Sequence, residues 1–547
     1  MSDYQLLKSA YSVDGFKEMA NQVLDILIKL FPTEQTAHEG KTLPYITPEE
    51  QLKFWNEDFN SPHTTFPALV EKFISHSLNL SNKRNLAHQL SVTLPITMLT
   101  AAVNARLNNV PTHYQLGMAA VTMERVIVEH MVKKFGFREG STGTIVTGGS
   151  MGNLTSLVTA RTCYESFLSG RSQVSRLAIM VSEAAHYSVE RSAMVMGLQS
   201  ENIIHIPLKK DCTVDTDLLE TKLQEARDQN KIVFCVVGCA STTSHGAHDD
   251  LEKIGQFAKK HNIWFHVDGA HGGAAIFSKK YKHLLKGIEL ADSVIVDFHK
   301  MLMVPTTSTI ILYNNRTSAD EEEPNGENQE EPNGENQEQT SPPSADVNIQ
   351  KKNYLESKFH ENIQTPYIGF TNKINYKQVE NGPIDFNAPY LFPDATTNEW
   401  YEGGRNTLEC SKPTIIFHTY AILRVYGDEL LEQNVDALYD LGIKLGELIK
   451  SRENIKLALD PQNNIVCFHY YSKPLIDSGK IDEVNEAILD HFLEEGSFYL
   501  SSAPIFGTFY LRVTLMNPFT EVSILNEMLD KVEQYGKIEE EKVLNSQ

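Results

Sequence analysis

The sequence predicts an α/β fold: a central, mostly parallel β-sheet, preceded by a helical segment and followed by a small α+β domain. Two observations carry this prediction. In the middle of the chain, short apolar runs rich in β-branched residues alternate with helical stretches, which is the pattern of βαβ units. At 547 residues, the chain is also long enough for one large α/β unit with additions at both ends.

Residues 1–110 are expected to form a helical segment. FKEMANQVLDILIKLF has apolar residues at spacings of three and four, and PEEQLKFW begins like a capped helix. LPITMLTAAVNARLNN predicts a further helix. AAVTMERVIVEHMVKKFG predicts the next one, which enters the following domain and has Gly136 as its C-cap.

Residues 111–413 are expected to form a large domain around the sheet. The runs that predict strands are GTIVTG, LAIMVS, NIIHIPL, KIVFCVVGCA, IWFHVDG, SVIVDF and STIILY. The stretches that predict helices between them are NLTSLVTARTCYESFL, SVERSAMVMGL, DTDLLETKLQEARDQ and DLEKIGQFAKKH. Strands that are apolar almost throughout indicate a sheet buried on both faces.

Within this domain, residues 316–350 have a different composition. Pro, Asn, Gly, Gln, Ser and acidic residues dominate, and EEPNGENQ occurs twice in tandem, from Glu322 and from Glu330. Such a segment cannot bury enough apolar surface to offset the entropy lost on ordering. We therefore expect a disordered acidic insertion.

Residues 414–547 are expected to form a small C-terminal α+β domain. The stretch FHTYAILRVYGDELLEQNVDALYDLGIKLGELIKS is helical in pattern, NIVCFHYYS and FYLRVTL resemble strands, and EVSILNEMLDKVEQYG predicts a last helix.

Composition excludes several classes of protein. The net charge of −22 argues against nucleic acid or an anionic membrane as the main partner. The six cysteines have no zinc-binding spacing, so no metal site is expected, and Cys235 and Cys239 lie in an apolar run that predicts buried strand thiols. The N-terminus lacks the pattern of a signal peptide, and no window approaches eighteen apolar residues. We therefore expect a cytoplasmic protein.

Four features follow predicted strands, where an open parallel sheet binds its ligands. The first is TIVTGGSMGNLTSL, in which a strand gives way to a helix around Gly148, Gly149 and Ser150. Free N–H groups at the start of a helix attract an anion such as phosphate. The motif lacks the spacing of known nucleotide-binding loops, and a plain turn with Ser150 as the helix N-cap is an equally good interpretation.

The second and third features are a histidine and an aspartate. His186, in AAHYSV, precedes a helix, where it could lay its ring against a planar cofactor or make a structural hydrogen bond. Asp268, in IWFHVDGAHGG, closes an apolar strand, and a buried carboxylate is costly unless it is paired. A protonated heteroaromatic nitrogen would be a suitable partner, although a turn-forming aspartate is the alternative.

The fourth feature is Lys300 in SVIVDFHKMLMVP, at the end of another apolar strand. Desolvation lowers the pKa of an amine and makes it a nucleophile for Schiff-base chemistry. A lysine that merely extends to the surface is the alternative. The order of the four features along the chain favours a single cofactor site.

These motifs resemble the group II pyridoxal-phosphate-dependent amino-acid decarboxylases, which include the glutamate, cysteine sulfinate, aromatic amino-acid and diaminobutyrate enzymes. The resemblance extends from about Asn85 to Pro518. It is carried by HVDGAHGG followed by ADSVIVDFHK, and by the blocks TGGSMGN, AHYSV, STTSHGAHDDL and NTLECSK in family order. It implies a fold-type I enzyme, similar to aspartate aminotransferase, that decarboxylates an L-amino acid.

The resemblance also implies roles for individual residues. Lys300 would bind pyridoxal phosphate covalently, Asp268 would pair with the pyridine nitrogen, and His186 would stack on the ring. The phosphate would be held by Ser150, Met151 and His299, Ala270 would pack on the other face of the ring, and Thr242 would lie near the ring 3-hydroxyl or support Asp268.

For the substrate, Gln89 and Arg512 match positions that resemble substrate-contacting residues of the acidic amino-acid decarboxylases. An arginine at such a position can bind a carboxylate through two hydrogen bonds. MERVIVEH and DFHKMLMVP also resemble diaminobutyrate-type sequences. Glutamate or aspartate and L-2,4-diaminobutyrate therefore both stay open as substrates, and a structural Arg512 is an alternative.

The family forms homodimers with shared active sites, so residues 1–110 are expected to pack on a partner and residues 380–404 to form a mobile active-site loop. The family tyrosine that returns a proton from this loop aligns with Thr397, and Tyr390 and Tyr401 lie nearby. The rival functions are an aminotransferase, a carbon–carbon lyase, an aromatic amino-acid decarboxylase, and a cofactor-binding partner or sensor without catalysis.

Overall fold

The computed structural model describes residues 10–30, 41–164, 175–315, 400–402, 404 and 406–545. The acidic insertion at 316–350 and most of the loop at 380–404, including Tyr390 and Thr397, lie outside the described residues. No helix in these ranges is both long and apolar enough to cross a membrane.

Helices dominate the first part of the chain. The second of them begins with a capping box, in which Thr47 and Glu50 each accept from the other's backbone. The last one ends at Gly136, whose left-handed φ of 70° confirms the predicted C-cap. The helices are α1 (Val13–Ile28), α2 (Pro48–Phe59), α3 (Phe66–Ser75), α4 (Pro95–Leu107), α5 (Tyr114–Gly117) and α6 (Ala119–Phe135).

A seven-stranded sheet forms the centre of the molecule, in the spatial order β1-β7-β6-β5-β4-β2-β3. Every predicted strand is present, and β7 alone runs against the other six. The sheet is therefore mostly parallel, as predicted. Its strands are β1 (Thr142–Val146), β2 (Leu177–Ser182), β3 (Ile203–Ile206), β4 (Ile232–Cys239), β5 (Trp264–Asp268), β6 (Ser293–Asp297) and β7 (Thr309–Tyr313).

Helices and two apolar clusters cover the sheet, and β2, β5, β6 and β7 are buried along their whole length. Cys235 and Cys239 are buried free thiols in β4, as predicted. The connecting α-helices are α7 (Gly149–Cys163), α8 (Tyr187–Val195), α9 (Leu219–Asp228) and α10 (Leu251–His261), with short 3-10 turns at Ser200–Asn202, Thr216–Leu218, Gly272–Phe277, Lys282–Leu285 and Ile288–Leu290.

The C-terminal region has a separate apolar core around a four-stranded antiparallel sheet. The sequence indicated two of its strands and its last helix, and did not indicate the two outer strands or the two middle helices. Its elements are α11 (Ile416–Lys450), β8 (Ile455–Leu457), β9 (Ile465–Tyr470), α12 (Lys473–Ser478), α13 (Ile481–Glu495), β10 (Ser501–Ile505), β11 (Thr508–Thr514) and α14 (Val522–Asn545).

Helix α11 joins the two regions. Its first part, around Ile422 and Val435, packs into the core beneath the large sheet, whereas Leu445 and Ile449 pack into the core of the small sheet. Gly427 interrupts the helix with a φ of 71° and a ψ of −175°. A residue with a Cβ rarely adopts this conformation, so glycine at this position allows the two halves to take different directions.

Candidate active site

The carboxyl ends of β1, β2, β5 and β6 lie at one edge of the large sheet, because these four strands run in the same direction. Ser150 follows β1, His186 follows β2, Asp268 ends β5 and Lys300 follows β6. The strand order thus brings the four sequence features to the same edge, where open α/β sheets bind ligands.

Asp268 is a buried carboxylate without a positive partner among the described residues. It is 7% exposed. Its Oδ2 accepts from the Asn153 side-chain amide at 3.0 Å, and its Oδ1 accepts from the Ala270 backbone N–H at 3.1 Å. Both donors are neutral, so the negative charge is solvated but not balanced. This environment suits a ligand that presents a positively charged N–H.

Asn153 connects Asp268 to His186. Its amide also donates to the Ser188 hydroxyl at 2.8 Å, and that oxygen lies 2.7 Å from His186 Nδ1. On the other side, Asn153 Oδ1 accepts from His266 Nε2 at 2.9 Å. The network holds the aspartate and the histidine in one orientation relative to each other.

His186 is the N-cap of α8, and its Nδ1 accepts from the Ser188 backbone N–H at 3.3 Å. Because Nδ1 accepts, the ring proton of the neutral imidazole resides on Nε2. Burial lowers the pKa of His186, and the Asp268 carboxylate opposes this effect. The imidazole is therefore neutral near pH 7, with one N–H to donate.

Lys300 lies three residues beyond the end of β6, not at the end of the strand as predicted. Its Nζ is 2.9 Å from Oδ2 of Asp297, the last residue of β6. The side chain of Lys300 is 16% exposed, and that of Asp297 is 2% exposed. The amine therefore lies in an ion pair, whereas the sequence indicated an apolar environment.

His299 is also tied to this segment. Its Nδ1 lies 2.9 Å from the carbonyl oxygen of Ser308, and its Nε2 lies 3.7 Å from Asp297 Oδ2. The Ser91 hydroxyl donates to the His299 carbonyl at 3.3 Å and links the site to the N-terminal segment.

The glycine loop after β1 forms the start of α7. Gly148, not Ser150, is the N-cap residue, and its φ of 102° is one that L-residues rarely adopt. The first intrahelical bond runs from the Gly152 N–H to the Gly148 carbonyl at 3.0 Å. The N–H groups of Gly149, Ser150 and Met151 precede this bond, as in other helix N-termini that bind anions.

Thr242 and Ala270 lie beside the same edge. The hydroxyl of Thr242 is 2.5 Å from His245 Nδ1 and accepts from the Ala247 N–H at 3.1 Å, whereas Asn153 and Ala270 are the groups that contact Asp268. Two roles were expected for Thr242, and one of them, a direct hydrogen bond to Asp268, is not observed. The Ala270 carbonyl accepts from the Asp297 N–H at 3.1 Å and joins the ends of β5 and β6.

Arg512 is a buried cation in β11 and is 6% exposed. Its guanidinium donates to the carbonyls of Ala87, Thr243 and Ser244 at 2.8–3.1 Å and to the Ser501 hydroxyl at 3.1 Å. All four acceptors are neutral, and no carboxylate within the described ranges pairs with it. Burial lowers the pKa of Arg512.

Arg512 is electrostatically connected to the edge that holds Lys300. Burial lowers the pKa of His271 to about 3, and the positive charges of Lys300 and Arg512 contribute to this shift. Gln89, two residues after Ala87, has a buried side-chain N–H₂ group that finds no hydrogen-bond partner in the part of the chain that the structure describes. Among the described residues, Arg512 thus has no counter-ion and Gln89 has an unused donor.

Three residues of the site, Asn153, Ser188 and Asp297, were not predicted from the sequence. Asn153 shares the buried face of α7 with Thr155, Ser156 and Thr159, so the sequence pattern does not single it out. Asp297 has the same signal as Asp268, an acid that ends an apolar strand. Of the candidate loop tyrosines, Tyr401 alone is described, and its ring centroid lies 5.6 Å from that of Tyr114.

Comparison with known proteins identifies the family of the chain. The conserved domain of pyridoxal-dependent decarboxylases matches residues 57–324 and 376–471. The acidic amino acid decarboxylase GADL1 of Bos taurus is 26% identical over 506 residues, which cover 90% of this chain and 85% of that protein. The L-aspartate decarboxylase dtxS4 of Metarhizium robertsii is 34% identical over 253 residues, 46% of this chain and 50% of that protein.

Among solved structures, the glutamate decarboxylase domain of a diaminobutyrate-pyruvate transaminase and L-2,4-diaminobutyrate decarboxylase from Vibrio parahaemolyticus has the same fold. The TM-score is 0.72 at 22% identity, with 95% of each chain covered. The family match includes the four strand-end features and spans more than half of the chain. The chain therefore belongs to the family of pyridoxal-dependent decarboxylases.

Proposed function

We propose that this protein removes the α-carboxylate of an acidic L-amino acid, using pyridoxal phosphate bound to Lys300. The observation that carries the proposal is the convergence of a half-buried lysine, a buried aspartate with neutral hydrogen-bond donors and a helix N-terminus at one edge of the sheet. Pyridoxal phosphate supplies an electron sink for the pair of electrons that carbon dioxide leaves behind.

The residues present fit this cofactor. Asp268 accepts hydrogen bonds from neutral donors, so its negative charge would balance a protonated pyridine nitrogen. The hydrogen bond from Asn153 would keep the Asp268 carboxylate in place. The N–H groups of Ser150 and Met151 at the start of α7 would hold the phosphate together with His299. Ala270 and Thr242 would lie beside the ring.

Two side chains can carry protons at the reacting end. His186 holds a proton on Nε2, because its Nδ1 accepts from Ser188. Lys300 carries protons on its amine, where Asp297 binds it. Either group could return a proton to the substrate α-carbon, so decarboxylation does not depend on a tyrosine at Thr397.

The preference for an acidic substrate rests on Arg512. A buried guanidinium with four neutral acceptors retains its full charge, and burying a charge without a counter-ion is unfavourable. A side-chain carboxylate would balance it, with help from the free amide of Gln89. The ammonium group of diaminobutyrate would be repelled, so we place the acidic substrate first.

The decisive experiment combines borohydride trapping with an amino-acid panel. Reduction of cofactor-loaded protein should attach the cofactor to the peptide that contains Lys300. Carbon dioxide should form from aspartate, glutamate or cysteine sulfinate and not from diaminobutyrate or aromatic amino acids. Keto-acid formation would indicate an aminotransferase instead, and a trapped peptide without turnover of any substrate would indicate a binding protein.

The active enzyme in this proposal is a homodimer in the cytoplasm. Large apolar side chains are exposed on the surface of the single chain in and beside α4, α5, α6 and α8, and a partner subunit would cover them. These residues are Leu99, Val103, Leu107, Leu116, Met118, Val126, Tyr187, Met194 and Val195. The six cysteines are all unpaired, as expected in a reducing compartment, and cell fractionation tests this location.

A further inference from the structure

Asp297, the last residue of β6, is the acidic partner of Lys300. Its carboxylate is almost completely buried, and it contacts the amine of Lys300 at 2.9 Å. The Thr309 hydroxyl donates to its other oxygen at 2.5 Å. Because Asp297 is held by both a neighbouring strand and its own turn, its carboxylate cannot move away from Lys300 easily.

Within the described ranges, Asp297 is the one charged group that forms an ion pair with Lys300. His186 and His271 approach from α8 and from the segment after β5, and burial lowers the pKa of both, that of His271 to about 3. Both imidazoles are thus uncharged near neutral pH. His299 Nε2 lies 3.7 Å from Asp297 Oδ2, and the charges of Asp268, Lys300 and Asp297 all act on His186.

We propose that Asp297 is a positioning residue that holds the Lys300 amine as an ammonium ion and thereby sets the pH at which Lys300 reacts with an aldehyde. The inference rests on the proposed function, in which Lys300 is the residue that binds the cofactor. The inference adds that the negative charge of Asp297 controls how readily Lys300 attaches the cofactor.

The chemical step makes the effect of Asp297 explicit. An ammonium ion has no lone pair, so Lys300 must first release one proton to water through its exposed side. The nitrogen then attacks the aldehyde carbon, a carbon–nitrogen double bond forms, and the aldehyde oxygen leaves as water with the two remaining amine protons. Asp297 opposes the first of these events, because its negative charge stabilises the ammonium ion.

The test is the pH profile of attachment for Asp297→Asn and for a matched variant, Thr309→Val. Asparagine keeps the size of the side chain and removes its charge, whereas Thr309→Val removes one hydrogen bond and leaves the charge. Attachment is followed in the full-length, cofactor-stripped protein by absorbance and by borohydride trapping of the Lys300 peptide. The probes are pyridoxal phosphate and pyridoxal, which lacks the phosphate.

We expect Asp297→Asn to move the midpoint of the profile to lower pH by about one unit, which is about a tenfold faster attachment at neutral pH. The effect should appear with both probes, and Thr309→Val should change the rate by less than about threefold, because the charge remains. If Asp297→Asn does not fold, Asp297→Ser removes the same charge with a smaller side chain.

An unchanged midpoint in the neutral variants, or a shift to higher pH, would overturn the inference. A change seen with pyridoxal phosphate and not with pyridoxal would also overturn it, since the effect would then concern the phosphate. These outcomes differ from failure of the proposed function, which would be seen as an unmodified Lys300 peptide in the wild-type protein.

Discussion

Asp268 and Asp297 have the same sequence signal and different environments. Each ends an apolar strand, and the two strands are neighbours in the sheet. Asp268 receives hydrogen bonds from neutral groups, whereas Asp297 forms an ion pair with Lys300. The sequence could indicate that a buried acid needs a partner. Which partner each acid has depends on helix α7 and on the turn after β6, and thus on tertiary contacts.

The resemblance suggested a substrate contact for Arg512. In the structure, Arg512 also stabilises the fold, because it donates hydrogen bonds to the carbonyls of three residues in other segments. We expect Arg512→Gln to raise KM for the acidic substrate about tenfold to a hundredfold, because a charge-assisted hydrogen bond contributes about 1.5–3 kcal/mol. The variant should also lower the midpoint of urea unfolding, since three buried carbonyls lose their donor. Steady-state kinetics and denaturation measure the two effects.

The matched control for Arg512 is Arg452→Gln. Arg452 is a partly buried arginine of the same region, and its charge is already balanced by Asp530 and Glu533. Its replacement should affect stability and leave KM unchanged. Equal KM values for Arg512→Gln and the wild type would contradict a substrate contact.

At the scale of elements, the start of α7 shows what a motif can and cannot indicate. TGGSMGN correctly predicted a strand, a turn and a helix. The alternative interpretation, with Ser150 as the N-cap, was wrong. Gly148 adopts a positive φ and is the N-cap, so the helix starts two residues earlier. Ser150 is exposed, and its backbone N–H makes no intrahelical hydrogen bond. Substitutions can therefore separate a contact of the backbone N–H from a contact of the side-chain hydroxyl.

Two substitutions at Ser150 distinguish a backbone contact from a side-chain contact. Proline is tolerated in the first turn of a helix and removes the N–H. We expect Ser150→Pro to weaken binding of pyridoxal phosphate about tenfold, since one charge-assisted hydrogen bond is lost. Ser150→Ala keeps the N–H and should have a smaller effect. Fluorescence titration with the cofactor measures both, and equal affinities would contradict a backbone contact.

Helix α11 was predicted as one continuous stretch, and its ends agree with the structure within one residue. The break at Gly427 was not predicted. A single glycine within a helical pattern is common, so the sequence does not distinguish a tolerated glycine from one that is required by a positive φ. Ile422 before the break and Val435 after it both pack into the core beneath the large sheet, so packing within that core decides the change of direction at Gly427.

At the scale of the whole molecule, the exposed apolar surface predicts a dimer. We expect the protein to sediment at twice the mass of the chain, and Leu99→Asp in α4 to give an inactive monomer, because a buried unpaired charge opposes association. Ile476→Asp is the control, since Ile476 is an exposed apolar residue of the small C-terminal region, outside that surface. An active monomeric wild-type protein would contradict the prediction.

Buried histidines predict how stability depends on pH. Burial lowers the pKa of His248 and His271 to about 3 and that of His245 and His266 to about 4, from an ordinary value of 6.5. Below pH 6.5 the unfolded chain therefore binds protons that the folded chain does not. Stability should be complete above pH 6.5 and fall as the pH decreases, by about 1–2 kcal/mol for each histidine at pH 5.

Urea unfolding between pH 7.5 and pH 5 measures this dependence. His248→Gln removes one of the titrating groups and should make the pH profile less steep, whereas replacement of the exposed His63 should not change it. A constant free energy of unfolding over this range would contradict the prediction.

The sequence by itself determined the seven strands of the large sheet, the helices between them, and the order of Ser150, His186, Asp268 and Lys300 at or after the ends of those strands. Periodicity and buried polar residues are local signals, so they can be read without knowledge of the fold. It did not determine that Asp297 binds Lys300, that Asn153 joins Asp268 to His186, or that Arg512 bridges three segments.

The tertiary structure decided these partners because a buried charge is stabilised by whichever groups the packing of distant segments brings within about 3 Å. Arg512 and Ala87 are separated by 425 positions in the chain and by 2.9 Å in space. No local sequence pattern predicts such a contact. Arg512 has no counter-ion within the described part of the chain, and this is the physical basis for expecting an acidic substrate.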